Sequence, residues 1–70
     1  MIKQFAAYLT NTDTSDEYMI AANTAEEAEA LGTMKAKAEA KQGVTLEMML
    51  GPLVGPSLYP TGQFMRVDRL

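Results

Sequence analysis

The chain has 70 residues, enough for one small domain, and contains neither cysteine nor histidine. That excludes disulfide or thiolate staples and the usual transition-metal ligand sets, and it removes the commonest general base and every Ser-His or Cys-His nucleophile pair. A net charge of −3 argues against direct nucleic-acid binding, which runs on clustered Lys and Arg; no apolar run approaches the roughly 18–20 residues of a membrane span.

Alternation over residues 2–10 predicts a first strand, with Phe5, Ala7 and Leu9 on one face and Gln4, Ala6 and Tyr8 on the other. The run 10-TNTDTSD-16 is made of short polar residues that bond their own backbone, so it predicts a turn. Residues 17–23 predict a second strand, with Tyr18, Ile20 and Ala22 sharing a face, and the short polar loop makes an antiparallel hairpin the economical reading. At Thr24 the period changes. Thr24-Ala25-Glu26-Glu27 fits a capping box, alanine-rich sequence follows, Glu26, Glu27 and Glu29 precede Lys35, Lys37 and Lys41, and Gly43 supplies a left-handed stop. These predict a helix over 25–42. Its best apolar stripe is Ala28, Leu31, Met34 and Ala38, with Ala25, Gly32, Ala36 and Ala40 forming a second arc. The stripe is thin, so the sheet is expected to supply most of the core. Gly32 costs about 1 kcal/mol against alanine, and close approach of helix to sheet is the expected return.

Residues 44–50 alternate again: Val44, Leu46, Met48 and Leu50 share a face, with Thr45, Glu47 and Met49 opposite. This predicts a third strand, and the intervening helix allows it to run parallel to one of the first two. The uncharged stretch 51-GPLVGPSLYPTG-62 predicts a loop or irregular edge, because proline lacks an amide donor and restricts the residue before it. Two readings of it stay open. Leu53, Val54, Leu58 and Tyr59 fold back to cap the core, or they present a partly rigid apolar surface to a partner. Residues 63–68 predict a short closing strand. The expected fold is α+β: a small antiparallel or mixed sheet of β-β-α-β type with an extra C-terminal strand, one helix on one face, and a single domain over 1–70.

No residue constellation here points to catalysis, a cofactor or a metal. Asp13, Asp16 and Glu17 form an acidic hairpin turn, read either as solvated or as a contact for a basic patch on a partner. Six methionines are many for this length, and Met48 and Met49 fall on opposite faces. A one-sided core cannot take both, and Met49 is therefore a candidate for a partner surface. Direct nucleic-acid binding would require Lys35, Lys37, Lys41, Arg66 and Arg69 to converge on one face.

A strand opening at the first residues, a polar turn, a strand running into "AANTAEEAEAL", an alanine-rich helix, "QGVTLEMML" and a short closing strand together resemble small phage-encoded accessory proteins. These include the RNA-polymerase inhibitors of lytic phages and compact anti-CRISPR proteins. The resemblance is architectural, covers residues 2–50, and carries over no functional residue. It implies a protein that binds and blocks a host machine. The expected function is thus a non-enzymatic module that binds a larger protein, with Asp13, Asp16, Glu17, Met49, Leu53, Val54, Leu58 and Tyr59 as candidate contacts. The alternative is a homo-oligomeric assembly domain that uses a Met-rich sheet face. The opening Met1-Ile2-Lys3-Gln4-Phe5 shows no secretory signal pattern, so a cytoplasmic location is expected.

Overall fold

Two periods of hydrophobic alternation, separated by a helix-forming run, fold into a four-stranded sheet with one helix. The computed structural model describes residues 2–56 and 58–67. Its elements are β1 (Ile2–Asn11), β2 (Glu17–Ala22), α1 (Ala25–Ala40), β3 (Leu46–Gly55) and β4 (Phe64–Arg66). The sheet order is β3-β1-β2-β4, and every neighbouring pair of strands is antiparallel. β3 therefore runs in the same direction as β2, with β1 between them. No helix among the described residues is long and apolar enough to cross a membrane.

The β1–β2 hairpin forms because its turn supplies its own hydrogen bonds. Asn11 Oδ1 accepts from the N–H groups of Asp13 and Thr14, and Ser15 N–H donates to the Asn11 carbonyl while Ser15 sits at φ 65°. The helix ends are specified as locally. Glu27 N–H donates to Thr24 Oγ1 at 3.1 Å, and Glu27 Oε1 accepts from the N–H of Asn23, one residue earlier than a standard capping box requires. At the other end Val44 N–H reaches the Glu39 carbonyl and Gly43 N–H reaches the Ala40 carbonyl, with Gly43 at φ +83°. This is the Schellman arrangement, and the positive φ explains why glycine stands there. The helix stops two residues before the expected 42.

The buried apolar residues are Ala6, Ala7, Leu9, Met19, Ile20, Ala21, Ala22 and Ala28. Seven of these eight belong to strands, so the sheet does supply most of the core. The helix meets it through one small residue from each predicted arc. Ala28 and Gly32 are the buried positions of α1, whereas Met34, expected in the core, is 68% exposed. The reason is distance. A Cβ at Gly32 would lie 2.5 Å from Met48 Sδ and 2.7 Å from Ala7 Cβ, so the helix backbone approaches the strands too closely for a bulky side chain to fit between. On the same face Tyr18 and Phe64 stack with ring centroids 4.5 Å apart, and Lys35 Nζ lies 4.5 Å from the Phe64 centroid.

Register places Gln4, Ala6, Tyr8, Met19, Met49 and Leu53 on the sheet face away from α1. β3 and β4 lie at opposite edges, so their connection must cross the sheet, and it crosses this face. Gln4 Nε2 donates to the Tyr59 carbonyl at 3.2 Å, and Tyr59 N–H donates to Gln4 Oε1 at 3.0 Å. Gln4 is the sole buried polar residue in the described core, at 2% exposure, and both ends of its amide are satisfied. Beyond it Gly62 N–H donates to the Ala21 carbonyl. Ala6 and Ala21 pair directly beneath; side chains this small let a second layer lie close to the sheet.

β3 differs most from expectation. It begins at Leu46 and runs through Gly51 and Pro52 to Gly55, in unbroken register with β1 from Asn11↔Leu46 to Ile2↔Gly55, rather than spanning 44–50. The loop is correspondingly shorter. β4 covers Phe64–Arg66 of the expected 63–68, with position 68 outside the described residues.

Gly32→Ala gains about 1 kcal/mol of helix propensity but overpacks the Ala7–Met48 contact at about 1–3 kcal/mol. Thermal unfolding followed by circular dichroism should show a Tm several degrees lower; an unchanged or higher Tm would remove the close-packing account. Gln4→Leu should cost about 1–3 kcal/mol, because the Tyr59 groups lose their partner, and amide exchange at Tyr59 should accelerate in step.

Candidate functional site

The two edges of the sheet are unlike each other. β4 is three residues long and carries Arg66, whose Nη2 lies 3.1 Å from Asp16 Oδ1 and whose guanidinium is 5.9 Å from the Tyr18 ring centroid. β3 is ten residues long, and Glu47 is the only charge in the chain between Lys41 and Arg66. Edge strands are usually kept short, charged or covered, because their free N–H and C=O groups template pairing with another chain.

Hydrogen-bond parity shows which groups of β3 are free. Thr12 N–H donates to the Thr45 carbonyl and Asn11 N–H to the Asp16 carbonyl. In an antiparallel ladder bonded and non-bonded pairs alternate, so even-numbered residues of β1 face β3 and odd-numbered ones face β2. It follows that Thr45, Glu47, Met49, Gly51 and Leu53 bond to β1. The backbone groups of Leu46, Met48, Leu50, Pro52 and Val54 point away from the sheet. Pro52 thus sits where its missing N–H removes no bond to β1, which is why the strand continues through it. It also leaves a gap in the row of outward donors. The uninterrupted part of the free edge is Leu46–Leu50.

Beside this edge, on the face away from α1, Tyr8, Glu17, Met49, Leu50, Gly51 and Pro52 line a shallow concavity of about 370 Å³. Tyr8 pairs with Met49, and its ring carbon Cε2 lies 3.4 Å from where a Cβ on Gly51 would stand. The floor is therefore the glycine backbone, with Tyr8 as a wall. Met49 is 74% exposed. Thr10 pairs with Glu17 on one side and Glu47 on the other, which sets both residues in one row on this face, with Glu17 lining the concavity. Neither forms an ion pair among the described residues.

The expected contacts separate into groups. Glu17 and Met49 come together at the concavity. Leu53 is half-buried opposite Gln4, and Tyr59 is half-buried with its backbone held by Gln4, so these two cap the core. Val54 and Leu58 remain exposed. Asp13 stays in the exposed turn, and Asp16 serves Arg66 and Thr14 within the chain. Residue typing missed Tyr8, Glu47 and Gly51; the signal for Tyr8 was its place in the alternation, and for Gly51 the bare position that an aromatic neighbour covers. Lys35 pairs with Glu39 at 3.3 Å, which together with the Arg66–Asp16 pair diverts two of the cations that a nucleic-acid face would have needed; Arg69 lies outside the described residues. No group of three or more His, Cys, Asp or Glu among the described residues could hold a metal ion. Searches of protein families, curated proteins and solved structures return no match to this chain.

Pro52→Val restores one outward donor without altering the ladder to β1. Light scattering across a concentration series should show stronger self-association than the parent chain; equal monomer fractions would mean that Pro52 does not guard the edge.

Proposed function

We propose that the protein is a non-enzymatic binding module that docks an extended segment of a larger protein as a fifth strand along β3. The observation that carries this reading is the long, almost uncharged free edge, whose Leu46, Met48 and Leu50 backbone groups point outward. Strand addition uses such groups for affinity and neighbouring side-chain surfaces for specificity, and the concavity beside Met49 is a surface of that kind. Placing the target in a host nucleic-acid machine adds a recipient for the same edge and rests on the architectural resemblance alone.

The test begins with selection of ten-residue peptides from a displayed random library, followed by amide chemical-shift mapping of the winners. Shifts should concentrate at Leu46–Leu50. Leu50→Pro deletes one outward N–H while leaving the bonds to β1, and should weaken binding about tenfold, the equivalent of one hydrogen bond. Winners that map elsewhere, or that bind the proline variant undiminished, would overturn the reading.

A further inference from the structure

The edge also constrains what sits on it. Resting on the strand-addition reading, we infer that the docked segment runs antiparallel, as every strand pair in the sheet does, and is basic, with a Lys or Arg opposite Glu47 and a large apolar residue two positions before it, opposite Met49. Odd-numbered residues of β3 direct their backbone groups to β1, so their partners across the free edge form non-hydrogen-bonded pairs. In such pairs the side chains stand closest, with Cβ atoms about 4.5–5.5 Å apart. The residue opposite Glu47 therefore lies against the one charge on the edge; Glu17 stands in the same row, about 9.5 Å from Glu47 and about 14 Å from the docked residue at ordinary strand spacing. The residue opposite Met49 projects on the same face, toward the Tyr8–Gly51 floor.

A second copy of β3 fits this edge poorly. The strand Leu46–Gly55 contains no Lys or Arg, so self-pairing offers Glu47 no cation. In the antiparallel register that satisfies all outward groups of Leu46, Met48 and Leu50, Met48 faces its own counterpart. The two Glu47 carboxylates then become diagonal neighbours on one face, where like charges repel. A foreign strand with a cation at that position removes the repulsion and gains an opposite-charge pair. Past the residue opposite Leu50 the segment meets Pro52, which offers a carbonyl and no donor, so about five residues carry the ladder.

The probe is the peptide acetyl-Thr-Val-Tyr-Val-Lys-Val-Thr-amide, in which Tyr faces Met49 and Lys faces Glu47, compared with a twin carrying norleucine for Lys. Titrations followed by chemical shift should show the Lys peptide binding about two- to fivefold tighter at low salt, the range of one exposed cross-strand pair. The advantage should shrink at high salt and disappear in Glu47→Gln. A Glu-containing twin should recover affinity on Glu47→Lys. Equal binding of the Lys and norleucine peptides at Leu46–Leu50 would overturn the basic-segment inference and leave strand addition standing. Failure of all peptides to bind that edge would overturn both. A chain that dimerises through β3 at micromolar concentration would replace the foreign strand with a second copy and overturn the inference as well.

Discussion

The Gln4–Tyr59 pair holds the architecture in its present form. A sheet ordered β3-β1-β2-β4 has its last two strands on opposite edges, so the chain must travel across β1 and β2 to close. A crossing segment on a sheet face brings backbone N–H and C=O groups over apolar surface, where an unpartnered group costs about 1–3 kcal/mol. Gln4 offers an acceptor and a donor at the spacing of a peptide unit, and so acts on Tyr59 as a neighbouring strand would. Glutamine is suited to this because it supplies both groups without a charge to desolvate. With the segment held there, Gly62 reaches β2 and β4 takes the far edge. The same connection crosses the sheet face, so among the described residues no strand covers the outer side of β3, and the free edge follows from the topology.

Small residues do the packing that large ones do in bigger domains. Gly32 against Ala7 on one face, where Ala28 is also buried, and Ala6 beside Ala21 on the other, let two layers lie close to the sheet. Each contact buries little area, so close approach has to substitute for bulk. Such a core is sensitive to added methyl groups, because adjacent backbone cannot move aside. It also explains how so small a chain can keep Met34, Met49 and Leu58 largely exposed.

Much of this was legible in the sequence because it is specified locally. The hairpin turn, the Thr24 cap, the Gly43 stop and the alternation in β1 and β2 depend on residues within a few positions of each other. The course of β3 was not legible, since the bearing of Pro52 on a strand depends on which way its missing N–H would have pointed, and that parity is set by a partner strand far away in sequence. Helix orientation failed for a related reason: size ranked Met34 above Gly32, whereas helix–sheet distance decided the matter. Of the candidate site, the acidic and apolar residue types could be named in advance. That Glu17 and Glu47 would flank Thr10 from two different strands could not, because the adjacency arises only once β1 stands between β2 and β3.

The central place of β1 also bears on how the sheet assembles. Its pairing with β2 closes a short turn, whereas its pairing with β3 joins Ile2 to Gly55 and Asn11 to Leu46. The entropy of closing those longer loops is spent before the contacts return it. On a ribosome the hairpin and helix can emerge while one side of β1 has no neighbour, and that side stays open until the chain through Gly55 has cleared the tunnel. The first strand made is thus enclosed only after the helix has been made, and β2 waits longer still, until Phe64–Arg66 arrives along its outer side.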